Sequence, residues 1–139
     1  MEKIILKGRG VMPGKVEGTA MVCPDSIEGY GGFDPKTGVI VEHNHLHKGK
    51  SLKDTIFVVP GSRGSNGWSC YFGAARAAAA GPKALIFNRI DSSSGVAIAI
   101  SKVPTVVDFP EGQNPCEIIK TGDYVAVDGD TGIVEITRK

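Results

Sequence analysis

Thr55-Ile56-Phe57-Val58-Val59, running into Pro60-Gly61-Ser62-Arg63-Gly64-Ser65-Asn66-Gly67-Trp68-Ser69, decides how this chain is read. The first five residues are an unbroken β-branched and aromatic run, the pattern of a strand buried on both faces. A glycine-rich loop follows, and the alanine-rich stretch 68–80 predicts a helix stopped by Gly81-Pro82. Residues 83–87 return as an apolar strand through Ala84-Leu85-Ile86-Phe87. A second helix is predicted over 93–101, with Ser92, Ser93 or Ser94 as its N-cap, and 104–107 reads as another strand. Strand, loop, helix, strand, helix, strand is the order of a small parallel sheet.

Working outward, residues 4–22 read as short strands broken at Gly8, Gly10, Gly14 and Gly18. The stretch 25–38 is loop-like, Val39-Ile40-Val41 is a short strand, and 43–50 is polar. After a loop at 110–115, Thr121-Gly122-Asp123 leads into a strand at 124–127, and Asp128-Gly129-Asp130 turns the chain into 133–136. The expected fold is α/β and β-rich: a β layer or barrel packed on a small parallel sheet with two helices, in one domain over 1–139.

Composition excludes several classes. A chain of 139 residues buries about 68% of its unfolded surface, enough for a core without staples. Sixteen Lys and Arg against fifteen Asp and Glu leave a net charge of +1, with no basic excess to neutralise phosphates. Nucleic acid and a polybasic membrane surface are therefore not expected partners. There is no apolar run of the ~18 to 20 residues a membrane span needs, and no apolar segment behind a basic start; a cytoplasmic location is expected. Cys23, Cys70 and Cys116 are odd in number, widely spaced and without a CxxC pair, so no metal or cluster site is expected in this chain. Glycine is the outlier, 19 of 139 residues, about twice the usual share of roughly 7%.

The loop after the buried strand lies where α/β sheets place ligands. Gly61, Gly64 and Gly67 allow close backbone approach, and the amides opening the next helix favour an anion. Arg63 adds a planar fork for a carboxylate or phosphate, and Ser62, Ser65 and Ser69 supply hydroxyls. Such a serine is an N-cap, an anion ligand, or a proton acceptor if its alkoxide is stabilised. The loop is neither a P-loop, lacking GxxxxGK[ST], nor a GxSxG elbow. His43, His45 and His47 would share one face of a strand and, with Glu42, suit a transition metal; a solvated loop or partner contact is the favoured reading. Cys70, in the first helical turn, has no neighbouring histidine or acid to activate it.

On these residues the chain resembles the small subunit, or swivelling domain, of the aconitase X family. The likeness rests on Leu6-Lys7-Gly8-Arg9-Gly10 with Gly14 and Glu17-Gly18, and on Gly31-Gly32-Phe33-Asp34 with Thr37-Gly38. It continues in Gly49-Lys50-Ser51-Leu52, Pro60-Gly61-Ser62-Arg63-Gly64-Ser65, Pro82-Lys83-Ala84 and Thr121-Gly122-Asp123. The resemblance implies a swivelling β/β/α fold and a larger partner subunit, as a heterodimer or higher assembly, that carries an iron or iron–sulfur centre. It implies a hydro-lyase acting on an anionic hydroxy acid such as phosphomevalonate or cis-3-hydroxy-L-proline. The family's proton acceptor, the serine after Arg/Lys-Gly, falls on Ser65, and Gly61, Ser62, Arg63, Gly64, Asn66 and Ser69 become the candidate substrate ligands. Asn66-Gly67-Trp68 departs from the small residues usual before the second serine, which bears on the substrate more than on the reaction. Two rivals stand beside this reading. The tail 122–132 looks like the end of mobile phosphohistidine carriers, yet 60–69 holds no histidine; a non-catalytic anion-binding regulatory module is the other.

Overall fold

The protein's structure, a computed structural model, describes residues 2–27, 32–63 and 67–138, the side chains of 67–69 excepted. The elements along the described chain are β1 (Glu2–Lys7), β2 (Arg9–Met12), β3 (Lys15–Val22), β4 (Ile56–Val59), α1 (Gly67–Ala77) and β5 (Ala84–Phe87). They continue with α2 (Ser92–Ser101), β6 (Thr105–Val107), α3 (Pro115–Ile118), β7 (Tyr124–Asp128) and β8 (Ile133–Arg138). The strand order is β1-β8-β7-β3-β4-β5-β6-β2. β3, β4, β5 and β6 run parallel, as the buried strand runs predict. β1, β8, β7 and β3 form an antiparallel layer, and β2 lies antiparallel to β6.

β3 joins the two layers. Its first part, residues 15–19, pairs with β7, and its last part, residues 20–22, pairs with β4. The strict alternation of a strand then sorts the apolar side chains of the parallel layer into two cores. Phe57, Val59, Leu85 and Phe87 face Phe72, Ala75, Ala97 and Ile98 of the helices. Ile56, Val58, Ala84 and Ile86 face Val125, Val127, Val134 and Ile136 of the antiparallel layer. The result is β on β on α.

α2 buries Ser94, Ala97, Ile98 and Ser101, one helical stripe. α1 meets it closely because residue 73 is glycine: a Cβ there would lie 2.7 Å from Ile100 Cγ2. α1 stops at Ala77, before Gly81-Pro82, because Ala79 takes a left-handed φ of 56°. The Ala80 amide bonds to Ala75 O and the Ala79 amide to Arg76 O, the paired bonds of a Schellman ending.

Four expectations are adjusted. The N-cap of α2 is Asp91, with Ser94 completing a capping box, since the carboxylate precedes the three serines and accepts the Ser94 amide. Residues 39–41 make isolated bridges, Phe33 with Ile40 and Val39 with Ser51, in place of a strand. α3, capped by Asn114 with Pro115 at its start, adds a short third helix to the two expected, just past the loop foreseen at 110–115. Gly10 and Gly18 lie inside strands. A Cβ on Gly10 would sit 2.1 Å from Gly129 O, and Gly18 lies under the Lys83 side chain, whose Nζ donates to Glu17 O at 3.2 Å.

Candidate functional site

Loops at the carboxyl ends of the parallel strands converge, and residues 60–63 lie among them. Three consecutive loop residues are held by three other segments, the turn at Asp25-Ser26, Glu42 and Asp91. Ser26 Oγ donates to Gly61 O at 2.5 Å from the turn after β3. Ser62 donates twice to Asp91, by its amide to Oδ2 at 3.2 Å and by its hydroxyl to Oδ1 at 2.7 Å. Arg63 donates to Asp25 O at 3.0 Å through Nη1 and forms an ion pair with Glu42 through Nη2. Burial works to raise the Asp91 carboxyl, but hydrogen bonds from Ser94 and Ser62 outweigh it and hold it below the usual value.

Beside Arg63 is a hollow of about 230 Å³ lined by Cys23, Asp25, Glu42, Asn44, His45 and Arg63. Larger hollows lie elsewhere. One of about 420 Å³ sits at the opposite end of the parallel strands, near Arg76, Lys83 and Lys102; another of about 390 Å³ lies on the antiparallel layer. Convergent polar groups, more than volume, mark a ligand site, and these favour the loop edge.

Two of the three histidines serve the fold here. His45 accepts the His47 amide at Nδ1, which puts its proton on Nε2, and Nε2 donates to Ser26 O at 3.0 Å. The buried His47 donates from Nε2 to Val22 O at 2.7 Å. His43 is exposed. Among the described residues no group of three or more His, Cys, Asp or Glu is placed to hold a metal ion. Burial, with the neighbouring Cys116 and Glu42, pushes the Cys23 thiol up to about 12. Burial and Glu117 push Cys116 to about 12 as well. So raised, both thiols are poor nucleophiles at neutral pH.

Of the predicted site residues, Gly61, Ser62 and Arg63 stand together at this edge, and Ser69 belongs to the first turn of α1. Gly64, Ser65 and Asn66 lie outside the described residues. Sequence reasoning missed Asp91 and Ser26, and considered Glu42 only as a metal ligand. Asp91 was the most legible of them, as an acid before three serines and an apolar run. Other quoted motif residues have structural work. Lys83 bridges to the β3 backbone as above, Thr121 Oγ1 accepts the Val22 amide at 3.0 Å, and Asp123 takes Arg138 at 2.7 Å.

A curled β layer on a parallel β layer on helices, with one polar edge of loops, is the architecture of a swivelling domain. Residues 5–136 match the sequence model of the aconitase X swivel domain, and the chain belongs to that family. It is 38% identical over 132 residues to the phosphomevalonate dehydratase small subunit of Methanocella arvoryzae, covering 95% of this chain and 98% of that protein. The corresponding subunit of Methanosarcina acetivorans is 36% identical over 138 residues, covering 99% and 94%. The crystal structure of Thermococcus kodakaraensis aconitase X in its holo-form superposes with a TM-score of 0.88 at 32% identity, covering 97% of this chain and 99% of that one. A UPF0107 protein solved by solution NMR gives a TM-score of 0.85 at 32% identity, covering 97% and 100%. Among the described residues no helix is long and apolar enough to cross a membrane.

Proposed function

We propose that this chain is the small subunit of a two-subunit hydro-lyase that dehydrates phosphomevalonate, with Ser65 as its proton acceptor. The observation that carries the substrate is the end-to-end similarity to small subunits bearing that activity in their names. Ser65 Oγ, as alkoxide, takes the proton from the carbon next to the substrate carboxylate. The C–H electrons form the new double bond as the C–O bond on the adjacent carbon breaks; the departing hydroxide and the proton taken up by Ser65 together make the water released, which restores the alkoxide. An iron or iron–sulfur centre held by the larger subunit would supply Lewis acidity to that leaving hydroxyl. Among the described residues of this chain no group of His, Cys, Asp or Glu is placed to hold such a centre.

The anionic end of the substrate meets the backbone amides around Gly61, Gly64 and Asn66, the start of α1 near Ser69, and Arg63. Glu42 already faces the Arg63 guanidinium, so Arg63 contributes direction more than net charge. Ser62, with both donors on Asp91, holds the loop.

The test is Ser65→Ala in the enzyme co-expressed with its larger subunit, assayed on phosphomevalonate. Turnover is expected to fall on the order of 100-fold or more while the subunits still co-purify. Turnover within a few-fold of the parent would overturn the assignment of the base.

A further inference from the structure

We propose that Asp91 is a positioning residue for the loop that bears Ser65: as the fixed N-cap of α2 it grips Ser62 by backbone and hydroxyl together, setting where the next residues of the loop begin. This rests on the reading of Ser65 as the base. Three observations carry it. The Asp91 carboxylate is itself immobilised, since Oδ1 accepts the Ser94 amide at 2.8 Å and the Asp91 amide donates to Ser94 Oγ at 2.8 Å. That reciprocal box ties it to a helix packed against α1, a far stiffer support than a loop. The two bonds to Ser62 fix both its backbone position and its side-chain rotamer, so the chain leaves residue 62 in one direction.

The same bonds separate the serines. The single hydroxyl proton of Ser62 is committed to Asp91, so in this arrangement Ser62 does not offer it to an anion. Asp91 acts through Ser62. A displacement of about 1 Å at a reacting group costs on the order of 100-fold in rate, so loosening this grip should appear in kcat.

Loss of the helix cap must be separated from loss of the grip. Asp91→Ser caps α2 but is too short to reach Ser62, and Asp91→Asn caps it while losing the acceptor for the Ser62 amide. In the co-expressed two-subunit enzyme, both variants are expected to melt within about 3 °C of the parent. Their kcat is expected to fall roughly 10- to 100-fold with KM changed less than about three-fold. Adding Ser62→Ala to Asp91→Ser should cost little more than Asp91→Ser alone, because both remove one contact. Hydrogen exchange supplies a readout independent of catalysis: the Ser62 amide should lose protection in Asp91→Ser. Parent-like kcat in both Asp91 variants, additive losses in the double variant, or an unchanged Ser62 amide would each overturn the proposal. Ser65→Ala assayed beside them separates the readings. An inactive Ser65→Ala with a parent-like Asp91→Ser leaves the base standing and removes the positioning role; an active Ser65→Ala with a deprotected Ser62 amide removes the base and leaves the grip.

Discussion

Two glycine-rich regions of this molecule look alike in sequence and differ in what glycine does there. At the seam between β2 and the β7–β8 turn, backbones touch. A Cβ on Gly129 would lie 1.8 Å from Met12 O, and one on Gly132, where φ is +82°, 2.3 Å from Gly8 O. The Gly8 amide bonds to Gly132 O at 2.9 Å and the Gly129 amide to Gly14 O at 2.8 Å. Here the curled sheet brings β2 onto the turn, and no side chain fits. At the loop after β4 the nearest neighbour of Gly61 among the described residues is a side chain and not backbone: an added Cβ would meet the Asp91 carboxylate at 3.2 Å. The seam needs glycine for closure, whereas the loop is held in place by hydrogen bonds from three other segments.

Gly129→Ala is the harshest way to break this contrast. It forces backbone against backbone and is expected to cost about 3 kcal/mol or more, roughly 10 °C in Tm by thermal melting. A melt within 2 °C of the parent would mean the seam is not closed as described. The second effect concerns the charge pair that ties the same antiparallel layer. The hydrogen bond from Arg138 holds the buried Asp123 carboxyl below its ordinary range, burial opposing, and Arg138 also donates to Ile118 O at 2.8 Å. A carboxyl lowered in the folded state stabilises it above the unfolded pKa of about 3.9, and that contribution disappears as pH falls through the folded value. Asp123→Asn should therefore melt lower at pH 7 and lose less on acidification below about pH 4, read from melts across pH. An acid limb as steep as the parent's would count against it, although Asp91 and Asp128, lowered in the same direction, keep some slope. The smallest effect belongs to the loop: Gly61→Ala must shift the capped Asp91 carboxylate by a few tenths of an ångström and should cost about 1 kcal/mol, and a loss comparable to Gly129→Ala would erase the distinction between the two regions.

Much of the fold was readable along the chain. Residues 55–59 and 84–87 are apolar at every position because both faces of those strands are buried, and burial on both faces leaves a mark at each residue. Boundaries were less readable. α1 ends on the bonds of Ala79 and Ala80, and alanine in a left-handed conformation gives no warning in composition. The site divides in the same way. Gly61, Ser62 and Arg63 announce themselves by type and neighbourhood, while their holders lie 35 residues back at Ser26 and 29 ahead at Asp91.

By itself, then, the sequence determined the alternation of strands and helices, the family to which the chain belongs, and the loop on which its chemistry is proposed, because these are properties of neighbours along the chain. Only the tertiary structure decided which glycines exist for contact, that Glu42 meets Arg63, and that Asp91 grips Ser62. Those pairings join residues distant in sequence, and they form only when β3 carries the chain from one layer to the other and the parallel strands bring their loops to one edge.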